Sequence, residues 1–438
     1  MDRADIVRLD KRHVWHPYTP MDAWEHEDPI VVARAEGVWL EDVDGKRYLD
    51  GNASWWVAAL GHGHPRLLRI MEEQAATLAH CSLGGIAHEP AARLAEELVA
   101  LGPATPSGER PLDRVFFVDD GSTAIDAAVK MCAQARRQLG QNEKTRFVAL
   151  DGAYHGDTVG ATSLGGVEVF RRPYAGVTFD CVHAPFPEPG AYERAFAAMA
   201  ALLREQGSAI AAVFVEPVVQ GVAGMRIYDA AYLRELRALC DASDVWLVFD
   251  EVFSGYGRTG PMWASEHAGV APDLMCIGKV FAGYLPMGAV LAGERVFRAF
   301  RGGRDRAFLH GHTFCGNPLG AAVAREVLAV YREERVLEQA AAHAPGIAWA
   351  FARIAALPGV ERVRSIGMIG AADLASDGGS GYLADVGWRV YAEARKRGAY
   401  LRPLGSTVYV CPPINIEPGE LAELLAILEE SVRAVTSR

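Results

Sequence analysis

The sequence predicts an α/β protein with a large domain on a mostly parallel sheet and a small α+β domain made from both chain ends. The chain has 438 residues, of which 50% are hydrophobic, so a large buried core is expected. Between residues 113 and 292, short apolar runs alternate with helical stretches, which is typical of a parallel sheet flanked by helices. Glycines or polar residues follow most of these runs, as at the ligand-binding edge of open α/β sheets.

The N-terminal part of the chain is expected to form a short β hairpin followed by helices. Residues 13–36 are rich in Pro, Trp and His without a clear period. Apolar and polar residues then alternate over residues 38–40 and 48–50, on either side of Gly45, as they do in a hairpin. Residues 65–101 show the helical period instead.

Six apolar runs predict the central sheet, and a mixture of helix and strand follows it. The strands are expected at residues 114–118, 146–150, 211–215, 245–249, 273–277 and 289–292. After Asn317 a long Ala-rich helical pattern runs to about Ala356. Two strands are expected at residues 366–371 and 408–411, and a closing helix at residues 419–435. The predicted units are residues 1–64 (N-terminal part of the small domain), 65–317 (large cofactor-binding domain) and 318–438 (connecting helix and C-terminal small domain).

Composition excludes several classes of function. The 44 Lys and Arg against 55 Asp and Glu give a net charge of -11 without a long basic run, which argues against nucleic-acid binding. The 7 cysteines are scattered singly, so neither a disulfide framework nor a zinc site is indicated. Residues 1–12 lack the apolar run of a signal peptide, and no apolar run reaches the ~18 residues of a membrane span. We expect a cytoplasmic protein with no metal and no membrane partner.

An acid and a lysine end two of the predicted strands. Asp250 follows the apolar run 247–249 and precedes the glycine-rich segment 254–260. Lys279 follows residues 273–277, where burial would lower the pKa of its amine toward that of a nucleophile able to form a Schiff base. Taken alone, Asp250 is better explained as a strand-end carboxylate that caps the next turn. The alternative for Lys279 is a side chain that reaches solvent along the sheet edge.

Two loops after predicted strands could hold an anion and an aromatic ring. Gly121, Ser122 and Thr123 open a helical run, where free backbone N–H groups and hydroxyls suit a phosphate. Tyr154 and His155 follow residues 146–150, and a flat heterocycle could stack on the tyrosine ring. A helix cap and a packing tyrosine are the plain alternatives. An anion site, a stacking face, a carboxylate and a reactive amine are together what pyridoxal 5'-phosphate requires.

These motifs resemble a known family. Residues 250–260 together with Lys279 resemble the signature of class III aminotransferases, which are fold-type I pyridoxal-phosphate enzymes, and the match covers nearly the whole chain. Within the family, the resemblance is strongest to members that act in biotin synthesis. The segments that carry it are residues 13–19, 55–56, 310–318 and 401–405. The resemblance implies transamination of 7-keto-8-aminopelargonate to 7,8-diaminopelargonate, with S-adenosylmethionine as the expected amino donor.

The resemblance also implies a role for each matching residue. Lys279 would bond the cofactor and move the proton of the substrate carbon, while Asp250 would pair with the pyridine nitrogen and Tyr154 would stack on the ring. Arg402 would bind the substrate carboxylate. Tyr18, Trp55 and Trp56 would line the substrate channel, although plain core packing is the alternative for the tryptophans. The implied cofactor-binding residues are Gly121, Ser122, Thr123, Tyr154, His155, Glu216, Asp250, Val252, Lys279 and, from the neighbouring subunit of a homodimer, Thr313.

The sequence departs from the family pattern in ways that leave the substrates open. The run of residues 280–286 after Lys279 is one residue shorter than usual, and Asp120 stands where a serine is common. A general ω-amino acid aminotransferase and a lysine-using diaminopelargonate synthase share most of the motifs, and an aminomutase would need the same cofactor. A catalytically silent binding module is disfavoured because it has no need for both Asp250 and Lys279.

Overall fold

The computed structural model describes residues 1–376 and 381–437, and its central sheet has seven strands within those ranges. In spatial order the strands are Leu112–Val118, Gly288–Gly293, Leu274–Ile277, Trp246–Asp250, Ile210–Val215, Arg146–Leu150 and Cys181–Ala184. Gly288–Gly293 is antiparallel to both of its neighbours, and the other pairs are parallel. The predicted α/β class with a mostly parallel sheet and its six predicted strands are confirmed, whereas Cys181–Ala184 was missed.

The central strands read as unbroken apolar runs because helices cover both faces of the sheet. In Trp246–Asp250, Leu247 and Phe249 contribute to one core cluster while Trp246 and Val248 contribute to another. Alternate side chains point to opposite faces, so both faces of the strand are buried. The longer helices of the described chain are Arg3–His13, Pro65–Leu78, Glu89–Leu101, Gly121–Gln138, Tyr192–Gln206, Ala231–Ala242, Pro318–Glu333, Val336–Ile354, Val386–Lys396 and Pro418–Thr436. Among the helices described, none is both long and apolar enough to cross a membrane.

The two ends of the chain meet in smaller sheets beside the central one. The strand Ala399–Tyr400 pairs in parallel with Arg47–Asp50, which joins a C-terminal strand to the N-terminal hairpin. A separate antiparallel sheet contains Val360–Ile366, Ile369–Leu374 and Thr407–Val410. The boundaries near residues 64 and 317 stay a prediction.

The structure corrects two sequence predictions after residue 317. The single long helix predicted to about Ala356 is two helices, Pro318–Glu333 and Val336–Ile354, because the backbone at Arg335 turns left-handed with φ +56°. The strand predicted at residues 366–371 crosses a turn at Gly367, where φ is +53°. A Cβ at Gly367 would lie 2.4 Å from the carbonyl carbon of Thr259, so this turn needs glycine for space as well as for its φ.

Candidate active site

A cavity of about 510 Å³ opens at the carboxyl ends of the central strands. This is the edge at which open α/β sheets bind ligands. The structure brings nine of the predicted site residues to its wall. They are Trp56, Gly121, Ser122, Tyr154, His155, Glu216, Asp250, Val252 and Lys279. The other five are Tyr18, Trp55, Thr123, Thr313 and Arg402, and they lie outside the wall.

Asp250 and His155 form a buried pair at one end of the cavity. The strand Trp246–Asp250 delivers the carboxylate, and His155 Nδ1 lies 2.7 Å from Asp250 Oδ2. Because an ionised carboxylate only accepts, the Nδ1–H of His155 donates to it. Burial lowers the pKa of His155, but the hydrogen bond and charge of Asp250 outweigh it, so the pKa is raised. A negative charge is therefore held in place at the end of this strand.

Glu216 is a second buried acid behind the loop that carries Tyr154. Its Oε1 accepts from the backbone N–H of Tyr154 at 3.1 Å and its Oε2 from that of Gly221 at 2.9 Å. Burial raises the pKa of this carboxyl to about 7, although the charge of His155 acts in the opposite direction. The acid thus anchors the Tyr154 loop to the end of the strand Ile210–Val215.

Lys279 lies just beyond the strand Leu274–Ile277 in a constrained conformation. Its backbone has φ +50° and begins a 3-10 turn, Lys279–Ala282. A non-glycine residue in the left-handed region costs of order 1–3 kcal/mol and persists where the surrounding structure fixes it. Burial lowers the pKa of the amine, opposed by the charge of Asp250, and Nζ lies 4.9 Å from the ring centre of Trp56. A larger neutral fraction makes this amine a better nucleophile than an exposed lysine.

The helix Gly121–Gln138 begins at the cavity and leaves room for an anion. A Cβ on Gly121 would lie 2.4 Å from Val252 Cγ1, so glycine lets the backbone and Val252 come together there. At the helix start, Asp120 accepts from the backbone N–H of Thr123, and the Thr123 hydroxyl closes a capping box with the Asp120 backbone. The backbone N–H and the hydroxyl of Thr123 are thus both used inside the helix cap. The structure does not bring Thr123 into the cavity, in contrast to the role implied for it.

A left-handed turn carries two tryptophans, of which Trp56 lines the cavity. Residues 53–56 all have positive φ, and the side chain of Asp50 holds the turn by accepting from the N–H of Ser54 at 2.7 Å. Trp56 is buried, and its indole N–H donates to the hydroxyl of Tyr409 at 3.1 Å. Trp55 is 38% exposed and lies outside the cavity wall.

Tyr18 from the N-terminal segment reaches the cavity mouth. Its hydroxyl donates to Asp157 and lies 3.1 Å from that of Tyr154, which donates to the same carboxylate at 2.6 Å. Burial and the Asp157 carboxylate raise the pKa of both phenols, so both remain protonated donors. The Tyr18 ring also contacts the edge of Trp55, with ring centres 5.5 Å apart. Asp157 therefore ties the N-terminal segment to the Tyr154 loop.

Arg402 and Thr313 occupy different surroundings. The guanidinium of Arg402 lies on the ring of Trp55 at 5.0 Å, and the backbone N–H of Arg402 donates to Asn52 Oδ1 at 2.6 Å. Arg402 thus lies beside Trp55 and outside the cavity wall, and its implied role in binding the substrate carboxylate stays a prediction. Thr313 is exposed and does not line this chain's cavity. Its implied role in a neighbouring subunit stays a prediction.

Sequence reasoning missed two parts of the site. Asp157 was not singled out, although it lies three residues after Tyr154 in the same loop and binds both tyrosines. The segment 284–287 after Lys279 also lines the cavity. Its Tyr284 hydroxyl donates to the carbonyl of Gly61 and accepts from the N–H of His64, both at 2.8 Å. The shorter run after Lys279 is therefore anchored to the N-terminal part of the chain.

The residues at the wall fit pyridoxal 5'-phosphate. The chain offers a buried amine at Lys279 for the aldehyde, a carboxylate at Asp250 for the pyridine nitrogen, and the first turn of a long helix at Gly121 for the phosphate. The Nε2 of His155 is buried and without a hydrogen-bond partner in the described structure. An unpartnered buried polar atom beside Asp250 is what a site shaped for a ligand retains.

Known proteins match nearly the whole chain. The model of the aminotransferase class-III family matches residues 21–432. The adenosylmethionine-8-amino-7-oxononanoate aminotransferase of Nitratidesulfovibrio vulgaris is 40% identical, over 99% of this chain and 82% of the relative. The crystal structure of the enzyme of that name from Methanocaldococcus jannaschii is 30% identical with a TM-score of 0.94, over 99% of this chain and 100% of that one. A PLP-bound amine transaminase from an uncultivated Pseudomonas species is 31% identical with a TM-score of 0.89, over 97% of this chain and 99% of that one.

Proposed function

Because this chain belongs to the class III aminotransferase family, whose enzymes use pyridoxal phosphate, we propose that it aminates 8-amino-7-oxononanoate (7-keto-8-aminopelargonate) to 7,8-diaminononanoate in biotin synthesis. The structural observation that carries the substrate assignment is the guanidinium of Arg402, stacked on Trp55 beside the cavity. A planar guanidinium binds a carboxylate through two N–H groups, and indole rings suit an aliphatic chain. The acceptor has both features.

Pyridoxal phosphate supplies an aldehyde that exchanges amines and a ring that withdraws electrons from the bond being broken. Asp250 would keep a proton on the pyridine nitrogen, which preserves that withdrawal, and His155 holds the carboxylate in place. Lys279 would hold the cofactor through its amine between turnovers. Once freed by the incoming amine, the Lys279 amine would move a proton between the substrate carbon and the cofactor carbon that bears the amino group.

The other wall residues bind and orient. Gly121 and Ser122 would hold the phosphate at the helix start, and Tyr154 would contact the ring. Glu216 and Val252 would support this end of the site, the first by fixing the Tyr154 loop and the second by packing against Gly121. In the first half-reaction one water would be consumed, the donor would leave in its keto form, and its amino group would stay on the cofactor. The group would then pass to C7 of the acceptor, whose carbonyl oxygen leaves as water.

The assembly and the location are part of the proposal. We propose a homodimer in which Thr313 completes the phosphate site of the neighbouring subunit, since Thr313 is exposed and does not line this chain's own cavity. Sedimentation analysis at micromolar concentration should give twice the mass of the 47.3 kDa chain. A cytoplasmic location is proposed on the scattered cysteines, which are all free in the described structure.

S-adenosylmethionine is the proposed amino donor, because the relatives named above carry it in their names. Lysine is the alternative donor. A broader activity on simple ω-amines is a second candidate function, favoured by the similarity to the Pseudomonas amine transaminase. Rates with each donor, measured at one fixed acceptor concentration, would rank these possibilities.

An absorption spectrum of the holoenzyme tests the proposed function. Addition of 7,8-diaminononanoate, the product of the forward reaction, should abolish the band of the lysine-bound cofactor and produce the band of the amine form. Lys279→Ala is the matched control, because it removes the amine that binds the cofactor. A band that responds to simple ω-amines but not to 7,8-diaminononanoate would move the assignment to a general aminotransferase.

A further inference from the structure

The guanidinium of Arg402 touches a second indole that no motif pointed to. Its Cζ lies 5.0 Å from the ring centre of Trp55 and 5.3 Å from that of Trp388. Trp388 belongs to the helix Val386–Lys396, which the sequence analysis missed. Both rings are 38% exposed, so neither is explained by core packing.

Arg402 differs from the other arginines that lie over tryptophan in the described structure. Arg47, 4.2 Å from the ring centre of Trp39, also lacks an acid partner among the described residues, but it is exposed, whereas Arg402 is half-buried. Arg353 lies 3.9 Å from the ring centre of Trp349 and also forms an ion pair with Glu429. Arg136 lies 3.8 Å from the ring centre of Trp246 and donates to Asp244. These two arginines use the ring-facing side of the guanidinium and its N–H edge at once.

The N–H edge of Arg402 is unused in the described structure. No hydrogen bond or ion pair joins its guanidinium to residues 1–376 or 381–437, while its backbone N–H is bound by Asn52. The two indoles therefore lie against the guanidinium without engaging its N–H donors in a hydrogen bond. An acid partner would compete with a substrate carboxylate for those donors, whereas an indole does not.

Close packing fixes Trp388 beside Arg402. A Cβ on Gly387 would lie 2.1 Å from the carbonyl oxygen of Gly405 and 2.6 Å from Cβ of Pro403, so the helix approaches this segment because Gly387 has no side chain. The Trp388 ring packs against Tyr391 of the same helix, with ring centres 5.6 Å apart at 81°. The indole thus has a fixed position relative to the segment that carries Arg402.

We propose that Trp388 is a positioning residue: with Trp55 it holds the guanidinium of Arg402 by its faces, so that the N–H edge remains available for the carboxylate of the keto acceptor. This inference rests on the proposed function, in which Arg402 binds that carboxylate. Trp388 acts through Arg402 and does not itself contact the reacting atoms. Its loss releases a side chain with several rotatable bonds, which must then be ordered when the substrate binds.

The test separates binding of the acid from the chemistry. Trp388→Ala should raise KM for 8-amino-7-oxononanoate about 3- to 10-fold, the effect of losing one half-exposed stacking contact, and leave kcat within about 2-fold. Trp388→Phe, which keeps a ring, should restore most of the wild-type KM. The methyl ester of the acceptor should show the same KM with all three proteins, because it lacks the carboxylate charge.

A double-mutant cycle distinguishes a positioning role from a structural one. In an Arg402→Ala background, Trp388→Ala should cause no further rise in KM. Trp349→Ala removes a comparable tryptophan–arginine stack elsewhere and should leave KM unchanged. An undiminished effect of Trp388→Ala in the Arg402→Ala background, an equal effect on the ester, or an unchanged KM for the acid would overturn the inference.

Failure of the proposed function would be visible separately. If the wild-type enzyme does not aminate 8-amino-7-oxononanoate, the same variants are compared with pyruvate and methyl pyruvate as acceptors. A rise in KM that is confined to pyruvate would uphold the role of Trp388 with a different acid. Equal KM values for the wild type and all variants with both compounds would reject that role.

Discussion

The candidate site has two halves that are built in different ways: a sheet half at the cavity wall and a rim half just outside it. The sheet half contains Asp250, Lys279 and Gly121, each fixed by the end of a strand or the start of a helix. The rim half contains Tyr18 and Arg402, which come from distant segments and contact half-exposed rings. The sheet half is buried and bonded from several sides, whereas the rim depends on stacking and on one carboxylate, Asp157. We therefore expect changes in the sheet half to act on the reaction and changes in the rim to act on substrate binding.

Lys279→Ala should have the largest effect, and it tests the sheet half. Loss of the amine removes both the attachment of the cofactor and the proton transfer, so kcat should fall by about 10⁴-fold or more. Single-turnover absorbance with 7,8-diaminononanoate measures this directly. Arg402→Ala is the rim control, and it should act mainly on KM for the acid. A kcat of Lys279→Ala within 10-fold of the wild-type kcat would contradict the division between the two halves.

Asp250→Asn should reduce kcat by about 10²–10³-fold, because a neutral amide does not keep the proton on the pyridine nitrogen. The same change should lower the pKa of His155, since burial lowers that pKa and Asp250 offsets burial more strongly than Glu216, the other acid that raises it. Titration of the labelled histidine by NMR measures the second effect.

Asp157→Asn is the matched variant at the rim. It changes the same chemical group but contacts the two tyrosines, so KM should rise while the pKa of His155 stays as in the wild type. A large fall in kcat for Asp157→Asn with little effect of Asp250→Asn would reverse the assignment of the two acids.

The sheet half could be predicted from the sequence because a strand end constrains where a side chain can go. Asp250 and Lys279 follow apolar runs whose strands were found within one or two residues, so their meeting at one edge followed from the topology. Thr123 fits two interpretations, and its role toward a phosphate stays a prediction. The spacing from Asp120 to Thr123 also fits a capping box, which uses the N–H and hydroxyl that a phosphate would need.

The rim could be predicted only through family resemblance. Tyr18 and Arg402 are 384 positions apart in chain order, and no local pattern links them. Trp388 was missed because its helix was missed, and its contact with Arg402 depends on the absence of a side chain at Gly387. Contacts that depend on loop paths and on single close approaches leave no periodic signal in a sequence.

Gly121→Ala should weaken cofactor binding about 10- to 100-fold, because the new Cβ would lie 2.4 Å from Val252 Cγ1 and overpacking costs about 1–3 kcal/mol. Fluorescence titration of the apoenzyme with pyridoxal phosphate measures the Kd. Gly346→Ala is the control, since a Cβ there meets nothing within 4 Å in the middle of the helix Val336–Ile354. Equal Kd values for the two variants would show that the helix start has room to spare.

Glu251, a buried acid next to Asp250, is expected to make the stability of the protein depend on pH. Burial raises its pKa from 4.5 to about 7, against hydrogen bonds from Ser254 and the N–H groups of Ala264 and Ser265. A raised carboxyl pKa adds stability that is complete below pH 4.5 and lost as the pH rises to about 7.

Glu251→Gln should remove that dependence. Between pH 5 and pH 8 the free energy of unfolding of the wild type should fall by up to about 3 kcal/mol relative to that of the variant. The difference between their Tm shifts measures this change. Glu205→Gln, at an exposed glutamate, is the control and should keep the wild-type pH profile. A wild type that gains stability relative to Glu251→Gln over this range would contradict the raised pKa.

Tyr18→Phe should have the smallest effect, because it removes one hydroxyl from a rim that keeps its rings. The hydroxyl donates to Asp157, which still accepts from Tyr154 at 2.6 Å, so the carboxylate does not become unpartnered. A partly exposed hydrogen bond with an alternative partner contributes at the low end of about 0.5–1.5 kcal/mol, which predicts a KM rise of about 3-fold. With Asp157→Asn already present, the further effect of Tyr18→Phe should vanish. An effect of 100-fold or more would mean that Tyr18 takes part in the reaction itself, and the division between a chemical half and a binding rim would no longer hold.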